Sequence, residues 1–258
     1  MMSPSTPIDH GRLLTTLDDE AELVLRTCEG VTPDAPVPTC PGWTVSEVVR
    51  HVGSVSRVAL GWLRTGSRPH EWQSDPVAGQ TVRGYLRDGV AELSGLLARH
   101  DPAEPAGSWW DADRSHGFWY RRMAHELTVH RVDVQLAAGL DVSDIAEDLA
   151  LDGVDEALSL WFGHRLRRMG VTGTRSASVT VRAGEHAWAV DAGPDGTTVR
   201  PEPERAATAR GETDAVVSGT AVSVYLWLWG RAGPGAVTVE GDDDAVGQLW
   251  ALMRLATR

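Results

Sequence analysis

The sequence predicts an N-terminal four-helix bundle followed by a small C-terminal α+β domain, and three observations lead to this fold class. Apolar residues recur at helical spacing up to about residue 170. Beyond that point, short runs rich in β-branched residues alternate with glycine and proline, a pattern typical of strands and turns. The chain of 258 residues is long enough for each region to bury a core of its own. We therefore predict two domains, residues 1–170 and residues 171–258.

The first region is predicted to contain several amphipathic helices joined by loops. The second helix begins at a capping box, because Thr44 and Glu47 have the T-x-x-E spacing that satisfies two backbone amides. A long irregular connection covers 101–115, and loops of that length are often functional. Four antiparallel helices make a bundle, whose core is where helical folds build metal and ligand sites. The predicted helices are 10–27, 44–64, 76–98, 118–138 and 143–168.

The second region is predicted to combine short strands with two helices. This mixture within fewer than about one hundred residues is typical of a small α+β domain. The predicted strands are 176–182, 186–191, 197–200, 215–218 and 236–240, and the predicted helices are 221–231 and 243–254.

Composition limits the possible partners. The net charge of −12 disfavours binding to nucleic acid or to an acidic membrane surface. No stretch approaches the roughly 20 apolar residues of a membrane helix, and the first residues lack the pattern of a secretory signal. Two cysteines, Cys28 and Cys40, are too few for a disulfide framework or a four-cysteine zinc site. We expect a cytoplasmic monomer or small homo-oligomer.

Three side chains of the predicted bundle form a candidate metal site. Glu126 and His130 are four residues apart and therefore share one face of a helix. His51, on another predicted helix beside Val48 and Val52, can supply a third ligand. Spacing alone also allows the simpler interpretation of satisfied core residues. A zinc-protease motif is excluded, because His125 and His130 are about 140° apart around a helix.

Three segments resemble the mycothiol-dependent maleylpyruvate isomerase family. They are VPTCPGWTVSEVVRHVG at 37–53, RRMAHELTVHRVDVQLAAG at 121–139 and SGTAVSVYLWLWGR at 218–231. The resemblance implies a DinB-like metal-binding bundle, with His51, Glu126 and His130 as ligands of a divalent ion, most simply Zn²⁺. It also implies mycothiol as the thiol cosubstrate. Arg231 corresponds to the family's functional arginine, although a basic residue there also suits the negative end of a helix dipole.

The reaction implied by the resemblance is addition of a metal-bound thiolate to an activated double bond. The outcome is either cis–trans isomerisation or transfer of the thiol to an electrophile. Trp109, Trp110 and Trp119 are candidates for an apolar substrate pocket, and Arg122 for binding a carboxylate. We expect the site to lie between the two domains. A metal-binding accessory or sensor protein, or a module that recruits a partner, remains the alternative, and the ligand set also accommodates nickel, iron or manganese.

Overall fold

A computed structural model describes residues 8–202 and 213–257, and the described residues form two compact units that divide between Asp144 and Ile145. The first seven residues, part of the segment in which we looked for a secretory signal, lie outside the described ranges. The first unit is helical and the second combines a sheet with helices, so the predicted fold class is confirmed. No helix in the described ranges is long and apolar enough to cross a membrane.

The first unit is built from four helices: α1 His10–Thr27, α2 Val45–Thr65, α3 Val82–Leu97 and α4 His116–Ala137. The α1 helix packs against α3 and α4, and α2 packs against the same two neighbours. Since α1 and α2 are diagonal to each other, the loop between them must cross the bundle. That loop brings Thr39 and Cys40 to α4, where both donate hydrogen bonds to Asp133.

Within the bundle, the predicted helix boundaries agree closely with the observed ones, except at the start of α3. The helix predicted from residue 143 begins at Glu147, in the second unit. Both hydrogen bonds of the capping box at Thr44 and Glu47 are present at the start of α2. The α3 helix begins at Val82 rather than at residue 76, because the hydroxyl of Thr81 accepts a hydrogen bond from the amide of Gly84 and caps the helix there. The sequence pattern did not distinguish this cap from the apolar residues that precede it.

The second unit begins with a continuous helical stretch: α5 Glu147–Glu156, a π-helical segment Ala157–Arg165 and α6 Leu166–Met169. The division between Asp144 and Ile145 therefore lies before this stretch, whereas the sequence analysis placed it near residue 170. The α5 helix packs on α7 (Ala221–Leu228), a helix of the same unit. Helical periodicity has the same form on both sides of a domain boundary, so it could not show which unit this stretch belongs to.

The rest of the second unit is a sheet of order β3-β2-β1-β4-β5 with two helices. Strands β1 and β4 pair in parallel, and the other neighbours are antiparallel. The helices α7 and α8 both contact β1 and β4, the central pair. The strands are β1 Ala177–Ala183, β2 His186–Gly193, β3 Gly196–Glu202, β4 Ala215–Gly219 and β5 Thr238–Gly241, and α8 is Asp243–Ala256.

Candidate metal centre

The α4 helix carries two of the candidate ligands and is the most deeply buried helix of its unit. Every residue from His116 to Gln135 is buried. The helix begins at Ser115, whose hydroxyl accepts a hydrogen bond from the amide of Phe118. The four-residue spacing places Glu126 and His130 on one face of this buried helix.

The α2 helix supplies the third candidate ligand from the facing side. His51 lies beside Val48 and Val52, which are both fully buried. Gly53 permits a close helix contact, because a Cβ atom at this position would lie 2.6 Å from the ring of Tyr85 on α3. The position of His51 therefore depends on tight packing between α2 and α3.

The three side chains converge on one carboxylate oxygen. Nε2 of His51 is 3.2 Å from Oε1 of Glu126, and Nε2 of His130 is 3.4 Å from the same oxygen. One ligand atom from each residue lies within 4.8 Å of the others. The structure thus brings together the three residues that the sequence analysis selected.

Asp133 orients His130, and the sequence analysis missed it. Its Oδ2 lies 2.9 Å from Nδ1 of His130, and the carboxylate is fully buried. A carboxylate only accepts, so Nδ1 donates, and this bond selects the tautomer in which Nε2 offers its lone pair to an ion once that nitrogen has lost its proton. The hydroxyl of Thr39 donates to Oδ1, and the thiol of Cys40 donates to Oδ2 at 3.3 Å. The three-residue spacing between His130 and Asp133 was a usable signal.

Arg122 holds the second oxygen of Glu126. Its Nη2 donates to Oε2 at 2.5 Å, and the arginine side chain is buried. This contact leaves Oε1 facing the two histidines. The observed contact is with a candidate ligand, so the expected substrate-binding role of Arg122 stays a prediction.

Opposite charges within the cluster stabilise the ionised forms of Glu126 and His130. Burial alone would raise the pKa of Glu126, but Arg122 and the hydrogen bonds from His130 and His51 hold that pKa well below its usual range. Burial would lower the pKa of His130, but hydrogen bonds with Asp133, Cys40 and Glu126 keep that pKa well above its usual range. The carboxylate is therefore ionised and available to a cation.

The donor set fits a divalent metal ion. Two imidazole nitrogens and one carboxylate oxygen match the three protein ligands of many catalytic zinc sites. The hydrogen bond between His130 and Asp133 is the carboxylate–histidine arrangement that fixes a metal-binding tautomer. A set of three protein ligands also leaves room for a further ligand such as a thiol.

Aromatic rings surround His51, and the sequence analysis did not select them. Trp43 makes an edge-on contact with the His51 ring at a centroid distance of 5.0 Å, and Trp72 makes another at 6.2 Å. Trp72 is 49% exposed, which makes it an accessible apolar surface beside the cluster. The PGWTV motif, which contains Trp43, was a usable signal.

The three predicted substrate-binding tryptophans pack around the start of α4. Trp109 makes an edge-on contact with Phe118, and Trp110 is tilted against the same ring. Trp119 is buried, and its Nε1 donates to the carbonyl of Gly107 at 2.7 Å. These contacts attach the loop before α4 to the helix, and the substrate-binding role stays a prediction.

Two further basic side chains of α4 near the ligands are buried. Arg131 is fully buried and donates hydrogen bonds to both carboxylate oxygens of Glu20 on α1. His125 is also fully buried. Within the described ranges it belongs to no group of potential ligands whose atoms lie within 4.8 Å.

Arg231 lies in the second unit, just beyond α7. Its Nη1 donates to the carbonyl of Trp229 at 2.7 Å, and its backbone amide donates to the carbonyl of Leu226. The guanidinium therefore reaches the negative end of α7, as the simpler interpretation of this residue anticipates. A role in the reaction stays a prediction.

Fold and site together define a class of two-unit proteins, in which a helical bundle with a buried His–Glu–His cluster precedes a small α+β unit. Family models match both parts: "Mycothiol maleylpyruvate isomerase N-terminal domain" over residues 15–135, and "MDMPI C-terminal domain" over residues 148–248. The chain belongs to the mycothiol maleylpyruvate isomerase family, as its sequence segments indicated.

Solved structures agree with this assignment at the level of the fold. The crystal structures of the mycothiol-dependent maleylpyruvate isomerase and of a mutant of it each match with a TM-score of 0.57 and 18% identity. Each match covers 91% of this chain and 95% of that chain. Among curated proteins, no sequence matches the chain significantly.

Proposed function

We propose that this protein is a metal-dependent enzyme that uses mycothiol to isomerise, or to modify, a small electrophilic substrate. The observation that carries the proposal is the convergence of His51, Glu126 and His130 within 4.8 Å in a buried part of the bundle. Membership of the mycothiol maleylpyruvate isomerase family supports the choice of thiol and of reaction class. Zinc is the simplest ion for two imidazoles and one carboxylate.

The chain's own residues prepare the site for a thiol. His51, Glu126 and His130 would hold the ion, Asp133 fixes the tautomer of His130, and Arg122 fixes one oxygen of Glu126. When bound, a divalent ion lowers the pKa of a coordinated thiol and so favours the nucleophilic thiolate. Trp43 and Trp72 offer apolar surface beside His51, where they would limit the access of water to the sulfur.

Isomerisation then needs no net proton transfer. The thiolate sulfur forms a bond to one carbon of a double bond conjugated to a carbonyl, and the displaced electron pair moves onto the carbonyl oxygen. The former double bond is now single and rotates. Return of the electron pair expels the thiolate and leaves the trans product. In thiol transfer, the carbon–sulfur bond instead persists, and the carbanion or enolate is protonated.

The substrate side of the site is proposed from residue chemistry. Arg231 has the planar charge that pairs well with a carboxylate, and Arg122 could do the same when Glu126 is engaged by an ion. Trp109, Trp110 and Trp119 would suit an apolar part of the substrate. Such residues decide which electrophile is accepted rather than how the thiol is activated.

The first experiment measures bound metal and turnover on the same preparations. The native protein should contain a tightly bound divalent ion and isomerise maleylpyruvate, or conjugate another electrophile, only when mycothiol is present. His51→Ala should lose the tight ion and the activity together. His70→Ala, which changes an exposed histidine outside the cluster, should lose neither. Unchanged metal content in His51→Ala would contradict the ligand assignment.

The second experiment separates the two sides of the site. His130→Ala should lose metal and thiol binding together, whereas Arg231→Ala should keep the metal and lose turnover, because only the substrate side is changed. Arg200→Ala is the matched control, since Arg200 is an exposed arginine of the same unit that pairs with Asp191. Full activity in both His130→Ala and Arg231→Ala would contradict the roles proposed for these residues, whereas a native protein that binds the ion but shows no turnover would favour a non-catalytic accessory protein.

A further inference from the structure

A second group of two histidines and a glutamate lies where α3 is connected to α4. His100 follows the end of α3, Glu104 is in the connecting loop, and His116 is the first residue of α4. Each offers a ligand atom within 4.8 Å of the other two. The group shares no residue with the cluster around Glu126, so the two are separate sites.

Backbone hydrogen bonds fix the positions of all three residues. The amide of His116 donates to the carbonyl of Glu104 at 3.0 Å, and the amide of His100 donates to the carbonyl of Leu97 at 2.9 Å. The amide of Glu104 donates to the carbonyl of Asp101 at 2.9 Å. The protein itself therefore orders the loop, so ion binding does not have to supply the free energy for ordering it.

The three side chains lie close together, and hydrogen bonds fix the tautomer of His116. The amide of Asp101 donates to Oε1 of Glu104, and Oε2 of the same carboxylate lies 2.9 Å from Nδ1 of His100. Nδ1 of His116 lies 3.2 Å from the carbonyl oxygen of Glu104. A carbonyl oxygen only accepts, so this Nδ1 carries the proton and Nε2 of His116 keeps its lone pair.

The group is open to solvent on one side. The side chains of His100 and Glu104 are 40% and 49% exposed, whereas His116 is buried. The two imidazole rings are stacked, with centroids 4.4 Å apart and an angle of 13° between their planes. An ion in the plane of both rings requires His100 to turn, and its exposure leaves space for this rotation.

We propose that His100, Glu104 and His116 form a second binding site for a late first-row divalent cation, with Zn²⁺ as the simplest occupant. Two imidazoles and a carboxylate suit such an ion, and water can complete its coordination because the site is open. The neighbouring carboxylate of Asp101 adds negative charge. Binding is weaker than at the buried cluster, and it links the loop to α4 and stabilises the folded chain.

Zinc titration of the metal-free full-length protein tests the proposal by counting bound ions. The wild-type chain should bind two ions, one tightly and one more weakly. His100→Ala should bind only the tight ion and keep mycothiol-dependent turnover, whereas His51→Ala should bind only the weak one. Glu104→Gln keeps the size of the side chain but removes its charge, and it should weaken the second site at least tenfold.

His10→Ala is the matched control, because His10 is a neighbouring histidine outside the group that lies against Gly117 and Tyr120. It should bind both ions as the wild type does. If His100→Ala and Glu104→Gln bind zinc with the same stoichiometry and the same affinities as the wild type, the second site is overturned. If the buried cluster binds no ion, the wild type and His51→Ala should each bind one ion, and His100→Ala should bind none. This result distinguishes a failure of the buried metal site from a failure of the second site.

Discussion

Asp133 is the residue on which the geometry of the buried cluster depends most. It is fully buried, and its two oxygens accept hydrogen bonds from His130, Thr39 and Cys40. It thus joins the loop between α1 and α2 to the helix that carries two candidate ligands. Carboxylates in this position control both the tautomer and the orientation of a metal-binding histidine.

Asp133→Asn should weaken metal binding about 10- to 100-fold, because an amide fixes the tautomer of His130 less strongly than a carboxylate does. Zinc affinity measured by competition with a chelator tests this, with thermal unfolding of the metal-free protein as a check of folding. Cys40→Ser is the matched control, since it removes a thiol donor but leaves the contact between Asp133 and His130. Equal zinc affinity in Asp133→Asn and wild type would contradict the orienting role.

Cys28 is a thiol that the structure keeps protonated. Burial raises its pKa to about 11, and the charge of Arg83 offsets only part of this effect. The reactive form of a cysteine is the thiolate, so Cys28 is poorly suited to act as a nucleophile at neutral pH. The thiol of the proposed reaction must therefore come from elsewhere than Cys28.

The alkylation rate of Cys28 in a Cys40→Ser variant should still rise about tenfold per pH unit between about pH 8 and 10, because the thiolate fraction grows until the pH passes the pKa. Mass spectrometry after timed exposure to iodoacetamide measures this rate. A free cysteine in a short unfolded peptide serves as the control. A rate that levels off by about pH 9 would contradict the raised pKa.

At the scale of the elements, the contact between α2 and α3 sets the position of His51. Gly53 faces the ring of Tyr85, and that ring is held from its face by the guanidinium of Arg57 at 3.6 Å. The buried ring has little freedom to move away from an added methyl group. A side chain at position 53 would therefore push α2 and α3 apart.

Gly53→Ala should lower the free energy of unfolding by about 1–3 kcal/mol, because overpacking outweighs the gain in helix propensity. Gly95→Ala is the matched control on α3, since its added Cβ would meet only the end of Arg99 at 3.7 Å. That change should instead stabilise the protein by about 0.5–1 kcal/mol. Urea unfolding of both variants measures the difference, and equal stabilisation by the two would contradict the packing account.

The sequence predicted the elements of the bundle better than the contacts between them. Periodicity and caps located α1, α2 and α4, and the spacing of Glu126 and His130 placed them on one face. The pairing with His51 was suggested by the apolar face of its helix and supported by a family resemblance, because no local pattern in a sequence identifies which helices are neighbours. Trp43 and Trp72 were missed because their contacts with His51 depend on how the chain folds around α2. Asp133 was missed although its spacing from His130 was available, because its bonds with Thr39 and Cys40 are long-range.

The sequence pattern also did not predict the π-helical turns of Ala157–Arg165. The amide of Leu166 bonds to the carbonyl of Trp161, five residues earlier, where an α-helix would use four. The apolar pattern of this stretch fits both kinds of helix. Such segments often occur at functional sites, and here the segment carries aromatic and basic side chains in the second unit.

At the scale of the whole molecule, two units with different architecture carry different parts of the proposed function. The helical unit holds all three candidate ligands together with Asp133 and Arg122, which orient them. A buried ion pair between Glu20 and Arg131 joins α1 to α4 within this unit. The second unit contains Arg231, so the substrate-binding role proposed for this residue should be separable by mutation from thiol activation.

The central claim is that His51, Glu126 and His130 hold a divalent ion to which mycothiol binds through its sulfur. Cobalt substitution tests it most directly, because a thiolate bound to Co²⁺ gives a charge-transfer absorption in the near ultraviolet. Adding mycothiol to the cobalt-loaded native protein should produce this absorption, in proportion to occupancy of the tight site. His100→Ala should behave in the same way, and His130→Ala should show no such absorption. A cobalt-loaded native protein that binds mycothiol without this absorption, or a His130→Ala variant that retains it, would contradict the account.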